Sequence, residues 1–197
     1  PEGIPSGAGF ALDKATGKGC EMGIFTERSA LVIADMIYDF VDPGGKLYVP
    51  GIEEIVPDIA ALIAEARGSG VPVIFVNDAH DPDDKEFQQW GEHAVAGSRG
   101  GRVVDLLAPA EGDYVLEKKR YSVFYNTKLD ELLGKLGVDH LVITGTVTNI
   151  CVLVSSIEGL MRGYEVTVPR NAVKALNEED GNWALDQIER VFGGKVV

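Results

Sequence analysis

Three stretches of this chain are almost wholly apolar: Ala30–Asp35 (ALVIAD), Val71–Val76 (VPVIFV) and His140–Thr144 (HLVIT). A strand with one wet face alternates apolar and polar residues, whereas a strand covered on both faces does not. These runs therefore read as strands of a parallel sheet buried between two layers. The segments between them carry a helical period instead. Ile55, Ile59, Leu62, Ile63 and Ala66 fall at helical spacing within Ile52–Arg67, which stops at Gly68 and Gly70. Asp113–Lys118 reads as the third strand, Leu129–Leu136 as a short helix and His140–Thr144 as the fourth strand. A helix from about Asn149 to Arg162 ends at Gly163. Glu165–Val168 follows as the fifth strand, Glu178–Phe192 as the last helix and Lys195–Val197 as a sixth strand. Strands alternating with helices give an α/β three-layer sandwich, with a parallel sheet of about six strands and helices on both faces. Residues 1–28 are Gly-rich and lack either period, so they read as an extended arm before a single domain over 29–197.

Composition narrows the partners. A formal net charge of −13 argues against a nucleic-acid or anionic-membrane partner and is silent about a small substrate. No run of 18 apolar residues and no basic segment leading into an apolar one appears, so neither a membrane span nor a secretion signal is expected. Two cysteines, Cys20 and Cys151, do not make a disulfide framework in a chain of 197 residues, and the expectation is a reduced, cytoplasmic protein.

The chemistry gathers at one edge of the expected sheet. Asp35 ends the first strand, Lys118 ends the third, and Cys151 follows the fourth at the start of a helix. An open α/β sheet binds its ligands at the C-terminal ends of its strands. A thiol at a helix N-terminus beside a lysine is a setting that favours thiolate. Asp35 beside it could take the thiol proton and return it to a leaving amine. Taken singly, each residue has an ordinary explanation: a helix cap, a solvated lysine, a small buried hydrophobe. Their joint placement is what composition does not supply. Lys119 is the alternative to Lys118, but alternation along a strand lets only one of the pair point inward. Asp78 and His80, spaced i, i+2 past the second strand, fall on one side of an extended chain, and His93 follows in WGEHAV. One carboxylate and two imidazoles suit a divalent transition metal, although solvated loop residues would give the same letters.

Four stretches carry a further signal: IADMIYDFV (Ile33–Val41), NDAHDP with the downstream WGEHAVAGSRG, LEKKRYSVF (Leu116–Phe124) and the TGTVTNICV box. In these, residues 28–197 resemble the isochorismatase-like cysteine hydrolase superfamily, and within it the nicotinamidase/pyrazinamidase-related branch. The resemblance implies a catalytic triad of Asp35, Lys118 and Cys151. It implies an oxyanion site made by the backbone N–H groups of Val147 and Cys151, and a cis peptide bond between Thr146 and Val147. It implies a divalent metal ion, often zinc, on Asp78, His80 and His93, which accepts a pyridine nitrogen, with Trp90 lining the nicotinamide ring. It also implies a homo-oligomer. The expected function is hydrolysis of nicotinamide or a similar small amide to the acid and ammonia through a thioester. The alternatives are another small amide, carbamoyl or ureido substrate, or a non-catalytic metal-binding protein of the same fold. Three departures bear on substrate. Ile37 stands where the family often has Gln, the metal loop is short and acidic (Asp81, Asp83, Asp84, Glu86), and Asn171 replaces a frequent Asp.

Overall fold

The computed structural model describes residues 23–197, so Cys20 and most of the expected arm lie outside the described residues. The remainder of that arm, up to Arg28, runs without helix or strand, and Ile24 and Phe25 pack against the core. Strand β1 (Ser29–Ala34) is followed by one helical turn, α1 (Tyr38–Val41). A 3₁₀ turn (Ile52–Ile55) then leads into α2 (Val56–Gly68). Next come β2 (Val73–Asp78), the short α3 (Phe87–Trp90), β3 (Tyr114–Lys118) and α4 (Leu129–Leu136). Strand β4 (His140–Thr146) runs through a π-helical turn (Thr148–Val152) into α5 (Leu153–Met161). The chain closes with β5 (Glu165–Val168), β6 (Val173–Lys174), α6 (Glu178–Asp186) and β7 (Lys195–Val196).

The sheet has seven strands in the order β3-β2-β1-β4-β5-β7, with β6 paired to the end of β4, and every pairing is parallel. The extra strand over the expected six is β6. Its two residues are too short to carry a period. β1 and β4 are buried along their whole length, which is why their sequences show no alternation. Alternate β1 residues feed two cores. Val32 and Ala34 join Leu129, Leu133 and Ile188 on one face, while Leu31 and Ile33 join Ile52, Ile59 and Ile63 of the α2 side on the other. Each such aliphatic side chain stabilises the fold by roughly 1.5–3 kcal/mol when fully buried.

Two boundaries differ from the sequence expectation in ways that shape the site. β2 begins at Val73, because Pro72 has no N–H for the ladder, and it runs on to Asp78. Asp78 is therefore the last residue of the strand, in register with Lys118 of β3. The helix expected from Asn149 opens as the π turn, with regular α-helix only from Leu153, so Cys151 sits in the turn. At the β1–β4 junction Gly145 has φ +105°, and a Cβ there would collide with the carbonyl of Ala34. Only glycine lets the two central strands approach at the point where the chain splays toward Asp35 and Cys151.

At the opposite end of the sheet His140 bridges two strands. Its Nδ1 is 2.7 Å from Ser29 Oγ and its Nε2 is 2.8 Å from Thr167 Oγ1. Burial pushes its pKa down, against the raising influence of Glu165 and Asp139. A depressed histidine leaves stability intact above its unfolded value of about 6.5 and removes it as pH falls, because the unfolded chain protonates first. Melting temperature should therefore fall between pH 7 and pH 5, and His140→Gln should flatten that slope. An unchanged slope in the variant would show that His140 does not contribute to it.

Candidate active site

β1, β2, β3 and β4 end side by side, and the chain reverses strand order between β1 and β4, the crevice where α/β sheets bind ligands. Asp35, Asp78, Lys118 and Cys151 project there, all buried. The Lys118 ammonium is fully enclosed. It lies 2.8 Å from Asp35 Oδ2 and 2.6 Å from Asp78 Oδ1, and it donates to Cys151 Sγ at 3.7 Å. Asp35 adopts φ +58°, and its Oδ1 accepts from the Asp78 amide at 2.8 Å. Its Oδ2 faces the ammonium but has no well-aligned hydrogen bond, which leaves an acceptor free inside the site. Lys119, one residue on, is half-exposed and pairs with Asp81 outside the site, as strand alternation requires.

Two carboxylates share one ammonium in this enclosure, and their titrations separate accordingly. Burial, then the Asp78 charge, pushes Asp35 up to about 6 even though Lys118 pulls it down. Burial also works against ionised Asp78, but Lys118 and His80 hold it below the usual carboxylate range. The expectation of a resting thiolate is corrected here. Burial pushes the Cys151 thiol well up, the two carboxylates add to that, and the opposing effect of Lys118 does not overcome them. The arrangement is a neutral thiol beside a carboxylate of near-neutral affinity for protons, suited to proton transfer at the moment of attack. The Thr146–Val147 peptide bond is cis, and Val147 and Cys151 line the cavity above the thiol.

Asp78, His80 and His93 are buried together, with one ligand-type atom from each within 4.8 Å of the others. Their orientation is fixed from outside. His80 Nδ1 is 3.1 Å from Asp84 Oδ2, and His93 Nδ1 is 2.8 Å from the Gly91 carbonyl. Both rings thus commit Nδ1 to an oxygen, the pattern that orients metal-binding histidines. His80 Nε2 is buried with no hydrogen-bond partner, 3.8 Å from Asp78 Oδ2. An orphaned imidazole nitrogen facing a carboxylate and a second imidazole fits a divalent cation such as zinc.

Residues beyond those the sequence points to complete this arrangement. Asp84 itself accepts from Arg120 at 3.0 Å and from the Glu86 amide at 2.9 Å. Burial opposes its ionised form, yet the amide and Arg120 keep its carboxyl below the usual range. The acidic letters of the metal loop therefore divide: Asp81 and Asp83 are exposed, Asp84 orients His80, and Glu86 lines the cavity. The i, i+4 spacing from His80 to Asp84 was the available signal. Nothing in the sequence singles out Tyr121. Trp90 Nε1 donates to its hydroxyl at 3.2 Å, so two aromatic cavity residues brace each other. Ile37 is fully buried in the α2-side core and does not line the cavity, and Asn171 is exposed in the turn before β6.

The cavity over Cys151 has a volume of ≈ 70 Å³, room for a handful of waters and so for a small molecule. Its walls are mostly apolar and aromatic: Phe40, Leu47, Val49, Trp90, Ile150 and Leu176 among them. Its acidic members are Asp78 and Glu86, and no Lys or Arg lines it among the described residues.

The family model described as the Isochorismatase domain matches residues 29–196. Among solved structures, N-carbamoylsarcosine amidase from Thermoplasma acidophilum is 41% identical with a TM-score of 0.80, covering 86% of this chain and 95% of its own. The pyrazinamidase/nicotinamidase of Streptococcus mutans is 31% identical with a TM-score of 0.82, covering 86% and 99%. The pyrazinamidase of Pyrococcus horikoshii, solved in complex with zinc, is 30% identical with a TM-score of 0.81, covering 86% and 98%. No helix among the described residues is long and apolar enough to cross a membrane.

Proposed function

The chain belongs to the isochorismatase family of hydrolases, and we propose that within it the protein is a cysteine amidohydrolase of the nicotinamidase type, converting nicotinamide or a similar small aromatic amide to the acid and ammonia. The observation that carries this reading is the cavity: small, aromatic and, among the described residues, lined by no lysine or arginine, with a thiol among its walls and two of the three metal-type residues, Asp78 and His93, among the others. A planar uncharged ring suits those walls. Among the described residues no lysine or arginine lines the walls, so a carboxylate-bearing substrate would meet Asp78 and Glu86 with only the proposed metal ion to pair with.

In the proposed reaction Asp35 takes the Cys151 proton as Sγ attacks the amide carbonyl carbon. The carbonyl oxygen becomes an oxyanion, held by the N–H groups of Val147 and Cys151. Lys118 stabilises the negative charge that remains on Asp35 and Asp78 in the resting site and on sulfur during attack. Collapse breaks the C–N bond, Asp35 returns the proton to nitrogen, and ammonia leaves a thioester. Water then adds to the thioester, its proton passing to Asp35, and the acid departs with Cys151 restored as the thiol. Asp78, His80 and His93 would hold a divalent metal ion, zinc by ligand chemistry, which supplies a Lewis-acidic partner for a ring nitrogen. Trp90, braced by Tyr121, would cover the ring.

A second reading has its own support. The 41% identity to an enzyme named for N-carbamoylsarcosine exceeds that to the pyrazinamidases, and a carbamoyl or ureido compound would use the same thiol chemistry. The two readings separate in a side-by-side assay of ammonia release from nicotinamide, pyrazinamide and N-carbamoyl amino acids. The aromatic, largely apolar walls call for the ring amides to be the better substrates by kcat/KM. Preference for the carbamoyl acids would overturn the nicotinamidase assignment and keep the cysteine mechanism.

A further inference from the structure

Asp39 is a buried carboxylate that the proposed reaction does not use. Buried carboxylates normally persist beside a cation, but the hydrogen bonds of this one go to main-chain amides. Its Oδ2 accepts from the Ala94 N–H at 2.7 Å and its Oδ1 from the Lys46 N–H at 3.2 Å. Ala94 is fully buried with φ +44°, in the left-handed region that L-residues other than Asn and Asp rarely adopt. Something must hold it there, and Asp39 grips its N–H while its carbonyl accepts from the His80 amide at 2.9 Å. The Ala96 N–H returns to the His80 carbonyl at 2.9 Å. His93 precedes this clamped residue and His80 pairs with it, so one anchored peptide sets the spacing of both imidazoles. The next residue in α1, Phe40, packs on the His93 ring with centroids 5.6 Å apart. The loop also closes directly on Asp39. Its N–H donates to the Gly100 carbonyl at 3.0 Å, and a Cβ at Gly100 would collide with its carboxylate.

We infer that Asp39 is a positioning residue for His93: its carboxylate holds the left-handed Ala94 peptide and thereby sets the His93 imidazole against Asp78 and His80. The metal consequence rests on the proposed reading of that trio as a cation site, whereas the placement of His93 does not. Zinc affinity of the full chain should be compared for wild type, Asp39→Ala and Asp39→Asn by competition with a chromogenic chelator. Imidazole ¹⁵N spectra of the zinc-free proteins should be recorded alongside. The chain has three histidines, and His140 at the far end of the sheet serves as an internal reference.

Removal of an outer-shell partner weakens metal binding on the order of 10–100-fold, and that loss is expected for Asp39→Ala. The His93 signals should shift or broaden while those of His140 stay in place. Asp39→Asn keeps an amide-accepting oxygen and should recover most of the loss. A folded Asp39→Ala with wild-type zinc affinity and unmoved His93 signals would overturn the inference. So would equal losses in both variants with all three histidines displaced, which is general loosening. Should wild type itself take up no zinc, the metal reading fails, and the His93 signals still decide the role of Asp39.

Discussion

Cys151→Ala is expected to lower ammonia release by about 10⁴-fold or more, since removal of a covalent nucleophile leaves only binding and oxyanion stabilisation. The fold should survive. The thiol is buried, its burial and the neighbouring carboxylates keep it neutral, and alanine removes one small group without stranding a charge. The variant should still bind metal, because Asp84 and Gly91 hold His80 and His93, and Lys118 holds Asp78, with no hydrogen bond from the thiol to the three. Steady-state ammonia release, a thermal melt and zinc titration together check this. Retained activity in a folded Cys151→Ala would remove the thioester from the account. Loss of activity with loss of metal would mean that the thiol helps to hold the trio.

Lys118→Met is expected to have the largest effect on stability. Among the described residues the ammonium is the one cation between Asp35 and Asp78, and all three side chains are buried. Removing one partner of a buried ionic group leaves uncompensated charge and typically destabilises by about 3–5 kcal/mol. For a domain of this size that corresponds to a fall in Tm of roughly 6–20 °C. The sign of the pH dependence follows. Without the ammonium both carboxylates have raised proton affinity in the folded state, so the variant gains stability as they protonate and loses it as pH rises. The gap in Tm between wild type and variant should therefore be wider at pH 8 than at pH 5, as measured by melts across that range. A gap independent of pH would mean that lost packing of the lysine stem, and not stranded charge, is the cause.

How much of this was legible in the letters varies with the physics involved. β1 and β4 were readable because burial on both faces forces an unbroken apolar run, and α4 because its apolar residues keep the helical period to a glycine stop at Gly137. β6 was not, since two residues carry no period and exist only as a pairing to Gly145 and Thr146. Asp35, Lys118 and Cys151 could be grouped because each falls at a strand end, and parallel topology alone brings strand ends together. The protonation of Cys151 could not, because it depends on how completely the pocket excludes water and on a second carboxylate, Asp78, that strand register places against Lys118. Asp84 lies only four residues from the His80 it orients, so spacing alone could have pointed to it, whereas Tyr121 and Asp39 act through contacts to residues far along the chain, and such contacts leave no pattern in sequence.

One assay addresses both the thiol chemistry and the ion proposed for Asp78, His80 and His93. Ammonia release from nicotinamide should be followed with the protein as purified, after chelation, and after zinc is restored. Activity should disappear with the metal, return with zinc, and be absent throughout in Cys151→Ala. Full activity after chelation, or none in any state while Cys151 turns over another small amide, would contradict the nicotinamidase reading.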